Sequence, residues 1–267
     1  MTAKAISLAG RIPLINSILR KIARIYREGS IVTIKRGAAA GYKWKRHHRF
    51  VNGYWLGIYE LPLQQTLVRE LQKGDVFYDI GANAGFFSLV GASCVGDNGS
   101  VFAFEPLPSN AEAVEEAFAT NNLTNCHLIR AAVTNHSGQV SFSTSDDSST
   151  AHITSVSGRV KTETFQVPAL TLDEFTQKYP FPDLIKIDVE GAELLVLKGA
   201  EKLLKGENQP KLIIEVHAND NNDVLRDFLI SMGYRLFSLN RQSLTRSDYA
   251  HHLLALPDRN DKTKESP

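Results

Sequence analysis

The sequence is poor in the features that mark secreted, membrane-spanning or zinc-finger proteins. Its two cysteines, Cys94 and Cys126, lie in apolar surroundings without metal-ligand spacing. They argue against a disulfide framework or a cysteine zinc site, and read as buried thiols in a reducing cytoplasm. No apolar run approaches the roughly 20 residues of a membrane-spanning helix. The N-terminus lacks the uninterrupted apolar core and small-residue cleavage site of a signal peptide. An overall charge of one sign is missing too, since 30 Lys/Arg oppose 29 Asp/Glu. That balance conceals an asymmetry. Residues 1–55 hold twelve Lys/Arg against one acid, Glu28, which leaves eighteen basic and twenty-eight acidic residues in 56–267. The N-terminal segment therefore meets something anionic or packs on an acidic face.

What is present is ordinary globular composition, 43% hydrophobic and 22% charged over 267 residues, enough for one large domain with an extension. Residues 12–27 place Ile12, Ile15, Leu19, Ile22 and Tyr26 at helical spacing, with Arg20, Lys21, Arg24 and Arg27 on the other face. Such a helix either lies on an anionic membrane surface or docks on its own domain or a second subunit. A short strand is expected over 31–35. The stretch 41–50 mixes cations with aromatics, which suits a grip on nucleic acid or sugar phosphate, or equally a solvated hairpin near the substrate entrance.

From Gly57 strands and helices alternate: helix 60–72, strand 76–80, helix 86–95, strand 101–105, helix 109–120 with Ser109 as N-cap, and strand 127–133. An inserted β-hairpin follows, with an exposed strand at 140–143, a Ser/Asp/Thr-rich tip and a second strand at 164–167, placed where it could form a lid. Helix 171–178, strand 184–188, helix 191–204, strand 211–216 and helix 221–232 resume the pattern. Strands at 234–239 and 253–256, joined by a loop too short for a helical crossover, should pair antiparallel. The charged residues 258–267 read as a disordered tail. The fold class is thus α/β: a Rossmann-like sheet of seven strands, mostly parallel with an antiparallel last pair, helices on both faces and the inserted hairpin.

The informative stretch is Val76–Gly85, an apolar strand ending at Asp79-Ile80 that empties into a turn with Gly81 and Gly85 before a helix. Glycines there permit close approach of a nucleotide, and the amides of Gly81, Ala82, Asn83 and Gly85 face the carboxylate end of a ligand. Glu105 ends the next strand about 20 residues on, where a carboxylate accepts ribose hydroxyls. Pro106 and Val133 offer apolar surface to a base. Asn83 occupies the place of the second glycine of a dinucleotide fingerprint, which disfavours NAD.

Seven segments resemble the FkbM family of methyltransferases in order: Tyr59-Glu60, Asp79 to Gly85, Phe104-Glu105-Pro106, Leu170 to Asp173, Ile187 to Glu193, Ile214 to His217 and Leu254 to Pro257. The resemblance covers 57–257 as a methyltransferase domain, with 1–56 as a basic N-terminal extension outside it. It implies S-adenosyl-L-methionine as cofactor, with Asp79 and Asp188 among its contacts, and an oxygen nucleophile on a carbohydrate, glycolipid or secondary metabolite. Asp188, Glu190, Glu215 and His217 end the fourth and fifth strands together. His217, Asp188 and Glu190 are the candidate catalytic residues, with His217 or a carboxylate as general base. The same four could instead hold a divalent metal, although no metal site is assigned. No Asn-Pro-Pro-Tyr signature for base amines follows the fourth strand. The expected enzyme is cytoplasmic or peripheral at the membrane through 12–27. It takes a small-molecule or glycan acceptor, does not require nucleic acid, and has room for a homo-oligomeric contact. An RNA methyltransferase gripping through 35–49 and a non-catalytic membrane-surface protein are the rival readings.

Overall fold

The computed structural model describes residues 27–50, 53–144, 151–153, 163–217, 222–245, 248 and 250–258. The expected amphipathic helix 12–27, except Arg27, the hairpin tip and the tail 259–267 lie outside them. The strands are β1 (Ile31–Thr33), β2 (Lys43–Lys45), β3 (Val76–Ile80), β4 (Ser100–Phe104), β5 (Cys126–Ile129), β6 (Ala132–Val133), β7 (Gly138–Thr144), β8 (Ala151–Ile153), β9 (Glu163–Leu170), β10 (Leu184–Ile187), β11 (Lys211–Glu215), β12 (Tyr234–Phe237) and β13 (His252–Pro257). The helices are α1 (Leu61–Glu70), α2 (Phe86–Val95), α3 (Pro108–Thr120), α4 (Leu172–Phe175), α5 (Glu193–Lys198), α6 (Glu201–Lys205) and α7 (Asn222–Ser231).

The central sheet has seven strands in the order β12-β13-β11-β10-β3-β4-β5. β3 pairs in parallel with β4 and β10, and β10 with β11, while β13 runs antiparallel to both β11 and β12. Period-two burial explains why both faces are covered. Phe77 packs into the cluster containing Leu63, Leu89 and Val114, and its neighbour Tyr78 into the cluster with Phe102, Leu172 and Val196. Each such fully buried large apolar side chain contributes about 2–3 kcal/mol of transfer free energy.

The topology puts the carboxyl ends of β3, β4, β10 and β11 along one edge, where open α/β sheets bind ligands.

Several local expectations are corrected. The helix after β4 begins at Pro108, and its N-cap position is Leu107, not Ser109; proline supplies a fixed φ at a position that needs no N–H donor. The strand expected over 127–133 is broken: β5 stops at Ile129, and β6 leaves the central sheet to pair in parallel with β9. The inserted hairpin is larger than expected, a four-stranded sheet ordered β6-β9-β7-β8. Its β7 is not an exposed strand, because Val140 and Phe142 are buried against Ala132, Val167 and Ala192. The helix expected over 191–204 is split into α5 and α6 at Gly199, where a Cβ would meet the Thr134 carbonyl oxygen at 2.0 Å.

Residues 27–50 of the basic segment dock on the domain. β1 and β2 form an antiparallel hairpin, and Trp44 and Tyr54 bury their rings against Phe86 of α2. Lys45 Nζ lies 2.5 Å from Glu116 Oε1, and His47 bridges Glu28 at 3.2 Å and Glu116 at 2.9 Å. Lys45 and His47 thus meet the acidic face of α3, in keeping for these residues with one of the two readings that the charge asymmetry allowed.

Candidate active site

At the end of β3 the chain turns through Gly81 (φ 77°) and Asn83 (φ 51°), both left-handed, before Gly85 (φ 82°) caps α2. Gly81 is required here, since a Cβ on it would stand 1.8 Å from the Asp188 carbonyl oxygen. Asparagine is among the few side-chain-bearing residues that enter this backbone region readily, which explains Asn83.

Beside the turn lies a cleft of about 680 Å³, open to solvent. Gly81, Asn83, Glu105, Pro106, Val133 and Asp188 of the expected cofactor set line it, together with Glu190. Phe104, Leu107, Ala131 and Phe142 supply an apolar wall fit for a purine.

Ala82 and Gly85 shape the turn without lining the cleft. The amides expected to receive a carboxylate are engaged within the protein: Gly81 and Ala82 donate to the Phe104 carbonyl at 3.0 and 3.1 Å, and Gly85 donates to Ala82 at 2.8 Å.

Glu105, 4% exposed, accepts from the Asn83 amide on one oxygen (2.8 Å) and the Leu107 amide on the other (2.9 Å). Burial, only partly offset by these bonds, pushes its carboxyl up to about 7.

Asp79 does not reach the cleft. It is fully buried, accepts from Ser88 Oγ at 2.6 Å, and pairs with Lys186 Nζ at 3.1 Å. Lys186, 2% exposed, also stands 3.4 Å from Asp188 Oδ2 and donates to the Gly81 carbonyl at 3.3 Å. Burial lowers its pKa, but the two carboxylates outweigh that and hold it above the usual lysine value. This lysine ties β3, the turn and β10 into one unit. Sequence reading missed it because an isolated lysine in an apolar strand gives no sign of its partners.

The ends of β10 and β11 bring together the four residues expected to converge. His217 Nε2 lies 3.3 Å from Glu190 Oε2, 3.7 Å from Glu215 Oε1 and 4.0 Å from Asp188 Oδ1. Its Nδ1 is 2.8 Å from Glu193 Oε1. Burial lowers the pKa of His217, but the Glu193 bond and the surrounding carboxylates raise it to about 9. The surrounding carboxylates thus favour the protonated ring, which bears on the expected role of His217 as general base. Enclosure raises the Asp188 carboxyl, against the pull of Lys186.

Three more groups at this edge were not singled out as site residues from sequence: His251, His252 and Glu60. His252 Nε2 is 3.4 Å from Glu215 Oε2, and His251 Nε2 is 3.5 Å from Glu215 Oε1. Glu60 belongs to the Tyr59-Glu60 segment at the start of α1, and His251 and His252 come just before Leu254 to Pro257, on β13 and its approach.

The residues fit S-adenosylmethionine. Two buried amide oxygens in the lining, Asn83 Oδ1 and Asn110 Oδ1, have no hydrogen-bond partner. That is expected of a cleft built for a ligand rich in N–H and O–H donors. The Gly81 cradle, the Glu105 carboxylate and the apolar wall match a methionine-linked adenosine.

Comparison with known proteins agrees. The profile of the methyltransferase FkbM domain matches residues 79–236. The hexuronic acid methyltransferase AglP of Haloferax volcanii is 29% identical over 223 residues, 79% of this chain and 88% of that protein. Among solved structures, a precorrin-6y C5,15-methyltransferase of Geobacter metallireducens is 16% identical with a TM-score of 0.44, covering 74% of this chain and 87% of that one. An S-adenosylmethionine-dependent O-methyltransferase of Thermotoga maritima is 14% identical with a TM-score of 0.43, covering 73% and 64%. Cleft, strand order and profile lead to one conclusion: the chain belongs to the FkbM family and is an S-adenosylmethionine-dependent methyltransferase.

Proposed function

We propose that this enzyme methylates a hydroxyl oxygen of a carbohydrate, with a uronic-acid-containing glycan as the acceptor class. The observation that carries the reading is the junction of two environments. The adenosine-shaped cleft ends at Asp188 and Glu190, and the same residues open onto the carboxylate and histidine edge of β10 and β11. The AglP likeness supports a sugar acid as acceptor.

Asn83, Glu105 and Asn110 would hold the adenosine end of the cofactor, Phe104 to Leu107 and Val133 would cover the base, and Asp188 would face the methyl-donor end. The cofactor supplies an electrophilic methyl on a cationic sulfur, so the new O–C bond forms as the C–S bond breaks with its electron pair left on sulfur. The protein's share is alignment of the acceptor oxygen, which alone is worth several kcal/mol. Asp188 and Glu190 accept a hydrogen bond from the acceptor hydroxyl, and its proton leaves through the open edge to solvent. Glu193, bonded to His217 Nδ1 and to the Gly191 amide (2.9 Å), fixes the imidazole's direction.

The 43–49 segment gives little support to an RNA acceptor, since Lys45 and His47 are paired with Glu116 of α3. The test is transfer of labelled methyl from S-adenosylmethionine to uronic-acid glycosides, with alkali treatment of the product. An alkali-stable methyl ether is expected. An alkali-labile ester, or label only in RNA, would overturn the hydroxyl acceptor.

A further inference from the structure

The His217 cluster has a geometry that proton chemistry leaves unexplained. Asp188, Glu190 and His217 place one ligand-type atom each within 4.8 Å of one another. Ligand atoms about 2.1 Å from a single octahedral ion lie roughly 3 Å apart when adjacent and roughly 4.2 Å apart when opposite. The separations of 3.3 Å to Glu190 and 4.0 Å to Asp188 around His217 Nε2 fall in that interval.

The outer contacts point the same way. Glu193, 5% exposed and itself anchored by the Gly191 amide, holds His217 Nδ1. That leaves Nε2 as the nitrogen presented to the carboxylates, the arrangement that orients metal-binding histidines. Glu215 stands outside this set, shared between His251 Nε2 at 3.5 Å and His252 Nε2 at 3.4 Å. Beyond it His252 Nε2 and Glu60 Oε2, both buried, stand 3.5 Å apart without a hydrogen bond.

We propose that Asp188, Glu190 and His217 bind one divalent cation, with His217 positioned by Glu193, and that the ion acts as a Lewis acid on the acceptor oxygen. The proposal rests on the methyltransferase reading, because the ion would lie where the donor cleft opens to the acceptor. Two carboxylates and one imidazole, completed by water and the acceptor oxygen, form an oxygen-rich set suited to Mn²⁺ or Mg²⁺. An ion there lowers the pKa of a coordinated hydroxyl, whose proton passes to water, and gives an anionic acceptor a counter-charge on an otherwise acidic edge.

The test is Mn²⁺ titration of the full chain after dialysis against EDTA, followed by calorimetry and by the Mn²⁺ resonance signal. One saturable Mn²⁺ per chain is expected in the wild type, lost in His217→Gln and Glu190→Gln and weakened 10–100-fold in Glu193→Gln. S-adenosylmethionine binding by His217→Gln, measured in parallel, should stay within threefold of wild type and doubles as the folding control. Absence of saturable Mn²⁺ binding in the wild type, or equal binding in all variants, overturns the cation. If Mn²⁺ fails while S-adenosylmethionine binds and methyl is transferred, only the cation falls; loss of cofactor binding in the wild type would instead remove the methyltransferase reading.

Discussion

Replacing Glu105 by glutamine probes the cofactor cleft with little change in volume. Its carboxylate now accepts two backbone amides, from Asn83 and Leu107, while 96% shielded from solvent. A glutamine can accept only one of them and turns an N–H₂ towards the other, at a cost of about 1–3 kcal/mol for the unsatisfied donor. It also removes the charge that ribose hydroxyls would bond. A hydrogen bond to a charged group is worth about 1.5–3 kcal/mol, so affinity should fall on the order of a hundredfold.

The pH dependence has a definite sign. Burial raises the folded-state pKa from 4.5 to about 7. The folded chain therefore binds this proton more readily than the unfolded one. Its destabilising contribution is absent below about 4.5, grows through the interval and is complete above about 7, reaching about 3 kcal/mol. Wild-type stability relative to Glu105→Gln should thus decline between those pH values. Because the ionised form accepts the hydroxyls, wild-type cofactor affinity should weaken as pH falls below about 7, and the variant's should not. Calorimetry with S-adenosylmethionine from pH 5.5 to 8.5 and thermal unfolding over the same range measure both. Affinity within threefold of wild type at pH 8, or parallel pH profiles, would refute this role for Glu105.

Asp79→Ala should act through folding more than through contact with the cofactor. It leaves buried Lys186 with a single remaining carboxylate, Asp188, beside the Gly81 carbonyl, and breaking a buried pair costs about 3–5 kcal/mol, readable as a lowered midpoint in urea. Gly81→Ala should abolish cofactor binding and destabilise the chain, since its Cβ would collide with the Asp188 carbonyl; calorimetry and unfolding on one preparation show both. Lys45 and Glu116 are each about one-third exposed, so a double-mutant cycle on them should give a coupling below about 1 kcal/mol that fades with salt. A larger, salt-insensitive value would mean the hairpin is held by this pair and not by Trp44 and Tyr54.

The seven-strand sheet with its antiparallel last pair, and the turn that borders the cleft, were legible because they follow from local signals. An apolar strand, a turn needing left-handed residues at 81, 83 and 85, and an acid one strand later are all written within 30 residues. The acceptor half was legible only in part. Asp188, Glu190 and His217 stand at strand ends, but their protonation depends on partners brought by folding, and the carboxylates around His217 raise the pKa that sequence alone would leave near neutrality. Lys186, His251, His252 and Glu60 acquire their roles from long-range pairing, to which periodicity is blind. The break at Arg130 and Ala131 was hidden because Ala132 and Val133 continue an apolar run while changing sheet. The docking of 43–49 likewise depended on the acidic face of α3, more than 60 residues away.

The most direct measurement is a crystal structure of the chain with S-adenosylhomocysteine. The ribose hydroxyls should lie within hydrogen-bonding distance of Glu105, the adenine between Pro106 and Val133, and the sulfur towards Asp188. A ligand bound elsewhere, or one in the cleft with its ribose away from Glu105, would contradict the account.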